Sequence, residues 1–150
     1  MIKLSNLKYL VTSGCHVAFV VTGGGTSLIS SILKVPGSSN FMIEAQIPYN
    51  QKALGDYLGY DLSSSCNTDS SKKLAKKAYS RALELGENRK ILIGVACTAA
   101  LKTDRPRKGS DRAHIAIHSE KKCFYRRIEL SGNTRELQEY ELSDYFLNYL

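Results

Sequence analysis

The residues with the clearest chemical potential are a run of glycines and hydroxyls that follows an apolar stretch. Residues 17–21 are apolar, and after them come Thr22, three consecutive glycines at 23–25, Thr26 and Ser27. This pattern predicts a strand, a tight turn and a helix. Glycine permits positive φ angles, and the first N–H groups of a helix are unpaired and carry the positive end of its dipole.

Two interpretations of this turn are open. The free N–H groups can hold an anion. Alternatively, the glycines only relieve crowding between the strand and the helix. Their spacing matches neither the GxGxxG nor the GxxxxGK[ST] motif. For the turn considered alone, the two interpretations are about equal.

A second candidate is a basic segment over residues 98–112, directly after a predicted apolar strand. It carries five cations, which are Lys102, Arg105, Arg107, Lys108 and Arg112. The guanidinium fork of arginine suits phosphate oxygens, and a loop at the carboxyl end of a strand can close over a site. Asp104 and Asp111 alternate with these cations, which favours an ordered, paired loop over a mobile one.

Histidines and cysteines give no sign of a metal site. The four cysteines are widely separated and form no CxxC pair, so we expect reduced thiols and neither zinc nor redox chemistry. His114 and His118 would lie on one face of a predicted strand, where two histidines are more often solvated than metal-bound.

Composition narrows the class of protein. The chain has 150 residues, 43% hydrophobic and 23% charged, which predicts one folded domain over residues 1–150. The apolar runs are too short to span a bilayer and the first residues lack a signal-peptide pattern, so we expect a cytoplasmic protein without a membrane partner.

The net charge limits the possible partners. There are 21 basic and 14 acidic residues, giving +7, which is compatible with nucleic acid, an acidic partner or an anionic small molecule. No RNP motif, recognition helix or zinc finger is present, so nucleic-acid binding is the weaker alternative. Several of the lysines follow helical spacing over residues 72–81 and are typical of a solvated helix face.

The periodicity predicts alternating helices and strands. Helices are expected over 2–10 with Gly14 as C-cap, from the glycine turn to about 34, over 51–58, from a cap at Thr68-Asp69 to Gly86, and over 134–150. Strands are expected over 16–21, 41–49, 90–100, and as a hairpin over 113–119 and 122–130. This order indicates an α/β layered domain with a mixed sheet.

Four motifs, in order over nearly the whole chain, carry a resemblance to a known family. They are Thr22-Gly-Gly-Gly, Val35-Pro-Gly-Ser-Ser39, Tyr49 and Thr103-Asp-Arg-Pro. Together they resemble the C-terminal domain family of competence-damage-inducible protein (CinA), in particular a branch with Thr-Gly-Gly-Gly and Thr-Asp-Arg-Pro followed by basic residues.

The family includes nicotinamide-mononucleotide amidohydrolases. The resemblance implies a three-layer αβα fold, a nucleotide-sized anionic ligand and self-association into a homo-oligomer. It also implies hydrolysis of the nicotinamide amide to nicotinate mononucleotide and ammonia, with no metal or cofactor.

The chain departs from the active members at their catalytic pair. Those members carry a Ser-Cys-Thr-Gly-Gly turn with a nucleophilic serine, and a tyrosine followed by a lysine that acts on that serine. Gap-free alignment puts Thr22 at the serine position, whereas anchoring on the glycines puts Val20 there; we favour Thr22. Tyr49 then matches the tyrosine, but Leu54 falls at the lysine position. Lys52 is turned about 200° away on a helix.

Two main hypotheses follow, with nucleic-acid binding as the third and weakest. The first is an amidohydrolase acting on a pyridine nucleotide, with Thr22 as nucleophile and Tyr49 polarising. The second is a nucleotide-binding module of the same fold that has lost the catalytic pair. The ligand-binding residues expected in either case are Gly23, Gly24, Gly25, Thr26, Ser38, Ser39, Thr98, Arg105, Arg107 and Arg112. Aromatic residues of the last helix can serve an interface, but we expect most of them to pack on their own sheet.

Overall fold

The centre of the molecule is a five-stranded mixed sheet. The computed structural model describes residues 2–150. Its strands are β1 (Cys15–Thr22), β2 (Met42–Gln46), β3 (Ile91–Ala100), β4 (Arg112–His118) and β5 (Cys123–Glu129). Their order across the sheet is β2-β1-β3-β4-β5. The first three run parallel, and β4 and β5 form the predicted antiparallel hairpin.

Helices cover both faces of this sheet. They are α1 (Leu4–Val11), α2 (Thr26–Leu33), α3 (Gln51–Leu58), α4 (Thr68–Leu85) and α5 (Arg135–Tyr149). One hydrophobic core lies beneath α1, α2 and α5, and a second lies beneath α3 and α4. The α/β layered domain predicted from the sequence, and the three-layer αβα fold that the family resemblance implies, are therefore confirmed.

Strand β1 shows why the layers form. Val17, Phe19 and Val21 belong to the core under α2 and α5, while Ala18 and Val20 belong to the core under α3 and α4. Alternate side chains of a strand point to opposite faces, so a central strand covered on both sides must be apolar throughout.

Three predicted boundaries need correction. Strand β2 ends at Gln46 rather than at residue 49, because Pro48 has no N–H to donate to a ladder. The N-cap of α4 is Asn67, whose side chain accepts a hydrogen bond from Ser70 N, rather than Thr68-Asp69. Helix α1 is capped by Thr12, and Gly14 follows two residues later at φ +82°.

The prediction that His114 and His118 lie on a solvated face is also wrong. His114 is 4% exposed and His118 packs against Tyr79, with ring centroids 5.2 Å apart. The neighbours of these histidines on β4, such as Ile115, fill the opposite core. Both faces of the strand are therefore covered, and α4 lies over the histidines.

Three further features of the structure concern membrane spans, metal sites and disulfides. Among residues 2–150, no helix combines the length and apolarity needed to cross a membrane. The same residues contain no group of three or more His, Cys, Asp or Glu side chains placed to hold a metal ion. All four cysteines are free.

Candidate ligand-binding site

Thr22 ends β1 at the carboxyl edge of the parallel strands, where ligands of α/β sheets commonly bind. It is only 6% exposed, and its Oγ1 makes no hydrogen bond to any of residues 2–150. It lines a cavity of about 560 Å³, here called the first cavity, together with Gly23, Tyr49 and Arg135. The predicted nucleophile and the predicted tyrosine therefore share one cavity.

The glycines of the turn are required by the packing of the chain itself. Gly23 has a φ of +78°, and a Cβ there would lie 1.9 Å from the carbonyl oxygen of Ala99. Gly25 has a φ of +102° and is the N-cap of α2. The relief of crowding considered for this turn is thus real, and it brings the turn against the end of β3.

A carboxylate of the chain occupies the start of α2. Glu139 of α5 accepts hydrogen bonds from Gly25 N to both carboxylate oxygens at 3.1 Å, and from Ser27 N at 3.4 Å. The N–H of Gly25, which was expected to donate to a ligand, donates to this side chain instead. The helix N-terminus does attract an anion, but the anion belongs to α5.

Arg135, at the first residue of α5, joins the parts of the site. Its guanidinium donates to the carbonyl of Gly23 at 2.9 Å, to the hydroxyl of Tyr49 at 3.2 Å and to the carbonyl of Lys102 at 3.3 Å. All three acceptors are neutral, and Arg135 forms no ion pair within residues 2–150. Its positive charge therefore stays available to a ligand.

A second cavity, of about 530 Å³, adjoins the first. It shares Gly23, Tyr49 and Arg135 with the first cavity, and it is also lined by Arg105 and Arg107. Cys66 lines it too. Burial raises the pKa of the Cys66 thiol, so this sulfur stays protonated at neutral pH and is a poor nucleophile.

The basic loop is ordered by internal partners, as the alternating acidic residues predicted. Arg107 forms an ion pair with Asp111 and donates to the carbonyl of Ala100 at 3.0 Å. Gln138 of α5 is 1% exposed. Its amide accepts from Lys102 N at 2.6 Å and donates to Asp111 at 2.8 Å. Arg105, by contrast, makes no hydrogen bond or ion pair within residues 2–150.

The structure gathers some of the predicted ligand residues and separates others. Gly24 and Thr26 line the first cavity with Thr22, and Arg105 and Arg107 line the second. Arg112 lines neither: it donates to the carbonyls of Ser110 at 3.1 Å and Cys66 at 3.2 Å.

The remaining predicted ligand residues also lie outside the two cavities. Ser38 and Ser39 lie beyond the other end of α2, which is roughly 12 Å long for eight residues. Thr98 is 0% exposed and pairs with Thr22 within the sheet.

Thr98 and His114 form a buried polar pair beneath α4. They face each other across β3 and β4, and neither Thr98 Oγ1 nor His114 Nε2 has a hydrogen-bond partner within residues 2–150. The other ring nitrogen of His114 lies 2.9 Å from the Tyr125 hydroxyl, which accepts from Thr68 at 2.6 Å. Burial lowers the pKa of His114, which keeps the ring neutral at pH 7.

Among residues 2–150, no lysine lines the cavity that contains Thr22. Leu54, at the position expected for the lysine, is 2% exposed and packs in the core with Ala18 and Val20. Lys52 is exposed and lines neither cavity. The ionisable side chains that line the first cavity are Tyr49, Arg135, Glu136, Glu139 and Tyr140.

Sequence reasoning missed the three residues of α5 that organise the site, which are Arg135, Gln138 and Glu139. Two of them contact segments more than a hundred residues away. One signal was present: Gln138 lies four residues before Leu142 and eight before Phe146, both fully buried. Residues four and eight apart lie on the same face of a helix, so Gln138 is expected on the buried face of α5. A buried polar side chain needs hydrogen-bond partners.

No family model matches the chain, and no curated protein matches it. Among solved structures, it is similar to the competence/damage inducible protein CihA from Agrobacterium tumefaciens. The TM-score is 0.81 at 14% identity, over 97% of this chain and 91% of that one.

Two further solved structures are similar in fold to this chain. The CinA superfamily protein from Enterobacter cloacae has a TM-score of 0.78 at 13% identity, over 97% of this chain and 86% of that one. The CinA superfamily protein ECK1530/EC0983 from Escherichia coli has a TM-score of 0.76 at 12% identity, over 100% of this chain and 94% of that one. The resemblance noted in the sequence is thus confirmed in three dimensions: this chain has the fold of the competence-damaged protein (CinA) superfamily.

Proposed function

We propose that the chain binds a pyridine mononucleotide in the two cavities that meet at Gly23, Tyr49 and Arg135. One observation carries this proposal: the glycine turn, Tyr49 and the basic loop, which are far apart in sequence, converge on Arg135. The cavities measure about 560 and 530 Å³. Sites for small ligands commonly occupy roughly 300–1,000 Å³, so a mononucleotide fits this space.

The cations of the second cavity are the proposed phosphate ligands. Arg105 has no partner within residues 2–150, and Arg135 donates only to neutral oxygens. Neither guanidinium would need to break an ion pair to receive a phosphate. Arg107 is a poorer candidate because Asp111 already neutralises it.

We propose binding without rapid turnover, because the first cavity lacks a base suited to activate Thr22. Threonine is a weak nucleophile unless a neighbouring group removes its proton. Leu54 is an apolar core residue. The two carboxylates that line the cavity already accept hydrogen bonds, Glu139 from the backbone of the glycine turn and Glu136 from the Tyr140 hydroxyl.

Titration calorimetry with nicotinamide mononucleotide tests the binding proposal. We expect saturable binding that weakens by about tenfold or more in Arg105→Ala/Arg135→Ala, because hydrogen bonds to charged groups contribute roughly 1.5–3 kcal/mol each. Lys121→Ala/Lys122→Ala is the matched control, since it removes the same charge at the β4–β5 turn. Absence of binding, or an equal loss in the control, would contradict the proposal.

A pyridine-nucleotide amidase is the second candidate function. It is favoured by Thr22 Oγ1, which has no partner within residues 2–150 and lies in the same cavity as Tyr49. Ammonia release from nicotinamide mononucleotide distinguishes the two functions. The binding proposal predicts no release above a Thr22→Ala control. Release that disappears in Thr22→Ala and persists in Thr22→Ser would establish the amidase instead.

A further inference from the structure

We infer that the start of β3, at the amino edge of the sheet, accepts an extended acidic peptide of a partner protein as a short additional strand. Ile91 begins β3, and Ala99, eight residues further on, lies against Gly23. At 3.3 Å per residue this separation is roughly 26 Å, so the surface is distinct from the nucleotide cavities. The inference goes beyond the proposed function and does not depend on it.

The first residues of β3 pair with a neighbouring strand on one side only. Residues 91–93 pair in parallel with residues 15–17 of β1. On the other side, the antiparallel ladder with β4 starts at Gly94, opposite His118, where β4 ends. Among residues 2–150, no strand therefore pairs with this side of residues 91–93. An open strand edge of this kind can take up a further strand through its backbone N–H and carbonyl groups.

This open edge borders a cavity of about 480 Å³, here called the third cavity. Ile91 and Leu83 of α4 line it and are 50% and 52% exposed. Leu92 and Ile93 line it too and are half-buried. Single exposed aliphatic side chains are common on protein surfaces, but these four surround one concavity. The concavity suits the side chains of an added strand, whereas a membrane surface would need a flat or convex apolar patch.

The third cavity is positively charged. Arg89, Lys90 and Lys121 line it, and Glu120 is the one carboxylate among its described lining residues, so these groups carry a net charge of about +2. Neither lysine forms an ion pair within residues 2–150. An acidic peptide is attracted to this charge, and a second copy of the same surface is repelled by it. Lysines commonly protect open sheet edges from self-pairing in this way.

Nucleic acid fits this surface less well than a peptide does. Single strands bind by stacking bases on aromatic rings. Among residues 2–150, the one aromatic ring that lines the third cavity is that of Tyr79, and it packs against His118 with ring centroids 5.2 Å apart. Phosphates also make no use of the exposed Leu83 and Ile91 or of the open backbone. An extended peptide with both acidic and aliphatic side chains matches all of these features.

Phage display of random dodecapeptides on the full chain tests this inference. Binders to the wild-type chain are counter-selected on Lys90→Glu/Lys121→Glu, which reverses the charge of the third cavity. We expect the enriched peptides to combine Asp or Glu with Leu, Ile or Val. Lys52→Glu/Lys108→Glu is the matched control: it changes the net charge equally at the carboxyl edge of the sheet and should still bind these peptides. If no peptide is enriched, or if the enriched peptides lack acidic or aliphatic residues, the inference is overturned.

Fluorescence anisotropy with an enriched peptide tests how it binds. Leu83→Ser/Ile91→Thr should weaken binding by about fivefold or more, because it removes apolar area from the concavity. Thermal unfolding verifies that each variant is folded. Methylation of alternate backbone nitrogens gives two complementary peptides. Since an added strand directs only alternate N–H groups towards its neighbour, one of them should lose about tenfold or more in affinity and the other should retain its binding.

Other occupants of the surface are separate outcomes that would overturn the inference. Oligothymidylate or phosphatidylserine vesicles that bind more tightly than the peptide, and lose binding in Lys90→Glu/Lys121→Glu, would identify nucleic acid or a membrane. Self-association in sedimentation that is lost in Leu83→Ser/Ile91→Thr would identify a second copy of the chain. Equal binding of the two methylated peptides would contradict strand addition.

Discussion

Gln138 connects the basic loop to α5 through one buried amide. It accepts from Lys102 N at 2.6 Å and donates to Asp111 at 2.8 Å and to the carbonyl of Gly132 at 2.9 Å. Asp111 in turn pairs with Arg107. The position of the loop over the second cavity therefore depends on this side chain.

We expect Gln138→Ala to lower the free energy of unfolding by about 2–4 kcal/mol, because it leaves buried polar groups without partners. Leu137→Ala is the control at the next residue, which is 52% exposed and should cost less than about 1 kcal/mol. Urea denaturation measures both values. Equal, small losses in the two variants would show that Gln138 does not organise the loop.

Among individual residues, the sequence identified those whose chemistry depends on their neighbours along the chain. Thr22 and the glycines were singled out from neighbouring residue types and Tyr49 from the family resemblance, and the structure places Thr22, Gly23, Gly24 and Tyr49 around one cavity. Arg135 and Glu139 were not predicted, because their roles arise from contacts with a turn more than a hundred residues away. Such pairings are properties of the fold, and residue types alone do not encode them.

Strand β3 and helix α4 pack closely against each other at Gly94. At Gly94 of β3, an added Cβ would lie 2.1 Å from Tyr79 N and 2.3 Å from the carbonyl oxygen of Ala75. Both atoms belong to the backbone of α4 and cannot move aside. The absence of a side chain at Gly94 therefore sets how closely the helix approaches the sheet.

We expect Gly94→Ala to destabilise the fold by about 3 kcal/mol or more, because overpacking against backbone forces the helix away. Gly14→Ala is the informative control: Gly14 has a φ of +82° but open space around it, so the cost there is about 1 kcal/mol from the backbone conformation. Chemical denaturation measures both. A smaller effect at Gly94 than at Gly14 would contradict this account of the packing.

The elements themselves were largely predictable. Helix α3 begins and ends where the pattern placed it, because Asn50 caps its start and Gly59, at φ +86°, ends it. The hairpin of β4 and β5 also agrees with its prediction. The errors have two sources: β2 is short because Pro48 cannot donate to a ladder, and the histidines of β4 are covered because α4 packs over them.

For the whole molecule, the sequence predicted the layers and the comparisons confirm the fold, while self-association stays a prediction. Phe146 is fully buried and Tyr149 packs against Phe124 with ring centroids 5.3 Å apart. Tyr140 and Tyr145 are exposed. Two of the four aromatic residues of α5 therefore pack within the chain, and two remain available to a partner.

The central claim is that one nucleotide spans the two cavities across the contact between Arg135 and Tyr49. A crystal structure of the chain with nicotinamide mononucleotide tests it most directly. We predict the phosphate within hydrogen-bond distance of Arg105 and Arg135, and the ring in the first cavity beside Thr22 and Glu136. A nucleotide bound in the reverse orientation, or at the opposite edge of the sheet near Lys90, would contradict the account.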